Sequence, residues 1–221
     1  MPVHLRSLVP LMFLHFLAGG AIAQPAPDTN LSVNARFLIA ARNADATGME
    51  RALAAGANVD SRNRLGESAL VILLKNNKVD LAQKVLAAGA NVNLAAINGI
   101  TPLMAAAFNG QTAMARQLLD KGADIAPFDR LQKNAMTYAA GAGSTEIVVM
   151  LLAKGVDPNA VYNNGLTALM WAAGFGKTAT VKALLAAGAK PQLKDNRGKT
   201  AADMARDERF DETAALLDAA K

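Results

Sequence analysis

Gly56, Gly89, Gly122, Gly155 and Gly188 stand 33 residues apart without a slip. A constant period of about 20 to 50 residues marks a repeat protein, in which each unit buries its apolar face only against its neighbours. The same phrase surrounds the glycines: Leu86-Ala87-Ala88-Gly89-Ala90-Asn91, Leu119-Asp120-Lys121-Gly122-Ala123-Asp124 and Leu185-Ala186-Ala187-Gly188-Ala189-Lys190. A second phrase keeps the same register at Ser68-Ala69-Leu70, Thr101-Pro102-Leu103, Asn134-Ala135-Met136, Thr167-Ala168-Leu169 and Thr200-Ala201-Ala202.

Residues 99–131 show what one unit folds into. Thr101 suits a helix N-cap, and Pro102 the first helical position, where a missing N–H is harmless. All five such cap positions carry Ser, Thr or Asn. Leu103, Ala106 and Ala107 make one apolar stripe, and Gly110 ends this short helix. A second helix is expected from about Thr112, with Met114, Leu118 and Leu119 inward, and Gly122 closes it at positive φ. What remains is too short and polar for a helix and reads as a projecting hairpin-like turn.

Helix, turn, helix and protruding turn at this period resembles the ankyrin repeat, over roughly residues 33–221. Thr101-Pro102-Leu103-Met104-Ala105-Ala106-Ala107 and Thr167-Ala168-Leu169-Met170-Trp171-Ala172-Ala173 stand where the family has its T-P-L-H-x-A-A phrase. The resemblance implies an all-α repeat solenoid. The family's histidine is replaced by Val71, Met104, Thr137, Met170 and Asp203, so its hydrogen bonds at the helix start do not carry over. Gln132 stands where Gly66, Gly99, Gly165 and Gly198 mark the turn, at a cost of about 1–2 kcal/mol if the left-handed backbone is kept.

Both ends read as caps, giving about six repeats. Asn34 to Asp60 fits a degenerate first repeat, with Phe37, Leu38, Ala41, Met49, Leu53 and Gly56 at matching positions. The last unit stops near Leu216-Leu217, one residue out of register. Residues 203–218 hold Asp203, Asp207, Glu208, Asp211, Glu212 and Asp218 against Arg206 and Arg209, the polar outer face a terminal repeat needs.

Residues 1–23 read as a secretory signal peptide: His4 and Arg6, an apolar run from Leu8 to Ala18, then Ala21-Ile22-Ala23, with cleavage expected after Ala23. The apolar run is too short for a stable membrane span, and residues 24–32 read as a flexible leader. A periplasmic location follows as the expectation.

Both histidines, His4 and His15, fall in that signal, and the chain has no cysteine. The processed chain therefore lacks imidazole and thiolate, which removes His-based catalysis, Ser-His-Asp and Cys-His sites, and imidazole or thiolate metal sites. Asp203/Asp207 and Glu208/Asp211 share helical faces, but a solvated cap is the simpler reading. No Lys-Ser/Thr follows Gly141-Ala142-Gly143 in phosphate-loop spacing. We expect no enzyme, no cofactor and no metal. Without Arg6 the charge is +4, from 22 basic and 18 acidic residues. Lys177, Lys182, Lys190, Lys194, Arg197 and Lys199 form a basic stretch broken by Asp195, with no aromatic-interleaved groove for nucleic acid.

The resemblance implies a concave face lined by first helices and turns. Ile72, Ala105, Tyr138, Trp171 and Met204 are expected to point outward there, with Phe108 and Phe175 a turn later and Arg62, Arg64, Phe128, Arg130, Tyr162 and Lys194 at the turn tips. Six of the processed chain's eight aromatics fall in this set; Phe37 and Phe210 lie in the caps. Trp, Tyr and Arg dominate interface hot spots, so Ile72, Phe108, Phe128, Arg130, Tyr138, Tyr162, Trp171 and Phe175 are the candidate partner-binding residues. Packing against neighbouring repeats is the competing use of these rings. The expected function is a monomeric, non-catalytic module that binds another protein. Two uses fit: support of a stress-defence enzyme, since small exported ankyrin proteins resembling this one occur beside catalases, or immunity against a periplasm-targeted toxin.

Overall fold

A computed structural model describes residues 31–220. The expected signal peptide and most of the expected leader fall outside these residues. The chain divides at Pro102/Leu103 into two compact units.

The first unit holds helices α1 (Val33–Arg42), α2 (Ala46–Ala54), α3 (Ala69–Lys75) and α4 (Val79–Ala87). Within it α1 packs on α2 and α3, and α3 on α4. Ser32 caps α1 by accepting the Ala35 amide at 3.2 Å. Phe37 and Ala41 of α1 and Met49 of α2 are buried, as the degenerate first repeat requires.

The second unit holds α5 (Pro102–Phe108, whose first residue closes the first unit), α6 (Thr112–Asp120), α7 (Ala135–Ala142), α8 (Thr145–Ala153), α9 (Ala168–Gly174), α10 (Thr178–Ala186), α11 (Ala201–Asp207) and α12 (Asp211–Ala219). First helices form one row, α7 on α9 on α11, and second helices another, α6 on α8 on α10 on α12. Leu118, Leu151, Leu184 and Leu217 stand 33 apart and are fully buried down the second row. Leu217 is thus in register, and the expected slip is not one of backbone: Asp218 replaces the second leucine of the pair. The helices are short, seven to ten residues, too few to hold in isolation, so their stability comes from packing.

Side chains set each first helix. Ser68, Asn134, Thr167 and Thr200 accept the amide three residues on. At the register of the family's histidine, Thr137 Oγ1, Met170 Sδ and Asp203 Oδ2 accept the cap residue's own amide, at 2.9, 3.4 and 3.0 Å. Three chemically different side chains thereby close a reciprocal capping box. Between the two helices of each repeat one residue is left-handed: Ala44, Asn77, Gly110, Gly143, Gly176 and Arg209. Glycine is demanded by space at Gly176, where a Cβ would come within 2.6 Å of the Phe210 ring.

The projecting turns are hairpins with one backbone hydrogen-bond pattern. In residues 63–67, 96–100, 129–133, 162–166 and 195–199 the first amide donates to the fifth carbonyl, and the fourth amide to the first carbonyl. The fourth residue is left-handed each time, Gln132 included at φ 58°. In four of them this reads as a type I turn followed by a left-handed residue, a three-residue hairpin loop, whereas in 162–166 the third residue, Asn164, is left-handed as well, at φ 60° and ψ 20°. Gln132 therefore keeps the conformation glycine supplies elsewhere, and carries its cost. Neighbouring hairpins within a unit are joined by backbone bonds, Ile97 N–H to Leu65 O at 2.9 Å and Asn196 N–H to Asn164 O at 3.0 Å.

Candidate functional site

Burial corrects the expected outward position of the first helices. Ile72, Ala105, Tyr138, Trp171 and Met204 are all at most 8% exposed. The reason is that these helices are covered on every side: Ala69–Leu74, Ala135–Ala140 and Ala168–Gly174 are buried continuously. Ile72 is a core residue of the first unit. The remaining candidates, Phe108, Phe128, Arg130, Tyr138, Tyr162, Trp171 and Phe175, belong to the second unit.

There the rings associate in pairs, two of them across repeats. Phe108 meets Tyr138 edge-on, with centroids 5.9 Å apart and planes at 88°. Trp171 and Phe175 stack at 6.0 Å and 5°, the i,i+4 pairing that a helix offers. Phe128 and Tyr162, from consecutive hairpins, lie 6.3 Å apart. Each pair is worth about 0.5–1.5 kcal/mol beyond the area it buries. Packing thus accounts for Tyr138 and Trp171. Phe128 keeps 48% of its surface, Arg130 is exposed, and Phe108, Tyr162 and Phe175 are half-buried.

Two residues absent from the candidate set bind these pairs into one group. Lys133 Nζ lies 5.0 Å from the Trp171 ring centroid and 5.8 Å from that of Tyr138, within the range of cation–π attraction. Lys133 thereby bridges Phe108–Tyr138 and Trp171–Phe175. Burial lowers its pKa, opposed by the charge of Asp129. Asp129, itself buried, accepts the Leu131 and Lys133 amides on Oδ1 at 2.9 and 2.8 Å and the Tyr138 hydroxyl on Oδ2 at 2.6 Å. Burial first, then the hydrogen bond and charge of Asp129, drives the Tyr138 phenol far above its ordinary pKa. Burial also raises Tyr162. The sequence held a signal for Lys133: the register positions on either side of it, Ile100 and Leu166, are apolar.

The other polar candidates are committed to structure. Arg62 donates to Gly66 O at 2.8 Å and Ala95 O at 2.6 Å, tying two hairpins of the first unit. Within the basic stretch, Arg197 pairs with Asp195 and Lys199 with Asp207. In the last repeat the Asp203 carboxylate accepts the Thr200 amide at the start of α11 and pairs with Arg206, which also holds Asp218. Glu208 is buried, which departs from the wholly solvated cap expected there. Among the described residues no helix is long and apolar enough to cross a membrane.

No match to a curated protein was found. A family-level match to Ankyrin repeats (3 copies) spans residues 37–129 and 136–219. Its interruption falls on the hairpin and cap that carry Gln132 and Lys133. With the helix pairs, the hairpins and the helix-start phrases all in one register, the chain belongs to the ankyrin-repeat family.

Proposed function

We propose that this chain, built of repeats that are generally non-catalytic modules binding other proteins, is exported to the periplasm, with cleavage after Ala23, and there binds a partner protein through the aromatic face of residues 108–175. The observation that carries the binding face is the gathering of six of the eight processed-chain aromatics in three consecutive repeats, with Phe108, Phe128, Tyr162 and Phe175 still presenting surface. A core needs no such gathering, since elsewhere among the described residues aliphatic side chains and Met fill it, with Phe37 the one buried ring. Export rests on the basic start, apolar run and Ala21-Ile22-Ala23 of the first 23 residues. The location suits support of a stress-defence enzyme.

Fractionation of cells expressing the full chain, with N-terminal sequencing, tests export: a periplasmic product beginning at Gln24 is expected, and a cytoplasmic one retaining Met1 would contradict it. Affinity capture from the periplasmic fraction tests the face. A partner retained by the parent should be lost by Phe128→Ala/Arg130→Ala/Phe175→Ala, which spares the buried Tyr138 and Trp171. Equal retention by a folded variant would remove the face from the function.

A further inference from the structure

Three hairpins carry a charged residue at their fifth position: Glu67, Lys133 and Lys199. Two of those charges are closed within the chain by the residue eight further on, Glu67 by Lys75 and Lys199 by Asp207. Eight residues beyond Lys133 stands Gly141. A Cβ there would already touch the rings of Phe175 and Trp171, at 3.6 and 3.7 Å. Aromatic rings therefore occupy the ground where the other hairpins put a counter-ion.

Lys133 Nζ makes no hydrogen bond or ion pair among the described residues; its neighbours are the faces of Trp171 and Tyr138. Asp129 is the carboxylate whose charge reaches it, but both Asp129 oxygens are engaged, by two backbone amides and the Tyr138 hydroxyl. Ring faces replace only part of the water an ammonium loses, and three N–H donors are left to satisfy. One such cation walled by flat apolar rings fits a single carboxylate carried among apolar neighbours. A phosphate, with more charge and more acceptors, is matched by clustered Arg and Lys.

We propose that Lys133 anchors an Asp or Glu side chain of the protein partner, whose apolar neighbours cover Phe108 and Phe175. This rests on the reading of the aromatic face as the binding surface. Trp171 is the chain's only tryptophan and lies against Lys133, so its fluorescence reports this spot.

The test selects displayed random peptides on the purified chain and, in parallel, on Lys133→Met, with Lys133→Gln as a second variant should the first not fold. Peptides that shift Trp171 emission should carry Asp or Glu at one fixed position beside apolar residues. Changing that residue to Asn or Gln should weaken binding to the parent about tenfold and to the Lys133 variants by less than about twofold. Emission-shifting peptides without an acidic position, or an equal loss on parent and variants, would overturn the carboxylate anchor while leaving the face a binding surface. If no peptide shifts Trp171, the face itself fails and the anchor with it.

Discussion

Hairpins 129–133 and 195–199 are the same object in backbone and different objects in surface. Each starts with a buried Asp whose Oδ1 accepts the amides two and four residues on, all at 2.8–2.9 Å. Each ends with a Lys. They part at the second carboxylate oxygen. Asp195 Oδ2 takes Arg197 from its own loop, whereas Asp129 Oδ2 takes the hydroxyl of Tyr138 from the helix that follows. They part again at the lysine, paired with Asp207 in one and set over two rings in the other. The period therefore dictates the turn, and residues outside the five decide whether its charges face inward or await something else.

Removing the first Asp should separate the two hairpins most. Asp129→Ala orphans two amides and a buried phenol, so a loss of about 2–4 kcal/mol is expected. Asp195→Ala orphans the corresponding two amides but frees the exposed Arg197 to water instead of a buried phenol, so it should cost less, about 1–2 kcal/mol. Denaturant midpoints check this, and equal losses would mean that the Tyr138 bond adds nothing to its hairpin.

Titration sharpens it in opposite directions. The Tyr138 phenol has a folded pKa above its unfolded one. Its contribution is whole below the unfolded value of about 10 and is lost as pH climbs towards the folded value. Melting temperature should therefore fall more between pH 9 and pH 11, on the order of several degrees, in the parent than in Tyr138→Phe. For Asp195, burial alone would raise the carboxyl. The Lys199 amide, the Arg197 side chain and the Arg197 amide outweigh burial and hold it below its ordinary value. That contribution is whole above about pH 4 and is lost as pH falls through the folded value, so Asp195→Asn should flatten the acid limb.

Exchanging the fourth residues should be smaller. Gln132→Gly relieves a left-handed glutamine and should stabilise by about 1 kcal/mol, while Gly198→Gln should cost about as much. Thermal melts of both decide whether the two turns are interchangeable. Smallest is the lysine pair. Lys199→Met removes a partly exposed ion pair and should cost less than about 1 kcal/mol. Lys133→Met relieves a half-buried cation and should leave stability unchanged or slightly higher. A large loss from Lys133→Met would mean that the lysine serves the fold.

The fold was legible because repetition averages out local ambiguity. Five glycines and five Ser, Thr or Asn caps in one register outweigh any single propensity, and Pro102, Thr112 and Gly122 mark their unit's boundaries as expected. What surrounds a first helix was not legible. Ile72, Tyr138 and Trp171 sit at a position that helical phase alone turns outward, yet hairpin and neighbouring repeats cover it. Nor does any one unit reveal that Asp129 and Tyr138 bond, because that contact belongs to side chains that other repeats lack. Lys133 was visible as a charge between apolar register neighbours, but only the rings around it give that oddity a meaning.

If the aromatic face around Lys133 meets the partner, Trp171 must sense the complex. With one tryptophan in the chain, 5-fluorotryptophan labelling gives a single 19F resonance from Trp171, read with and without the captured partner. This resonance should shift or broaden at saturation, and Lys133→Met should reduce the affinity measured by it. A saturated complex in which the Trp171 signal stays where it was would place the binding surface elsewhere.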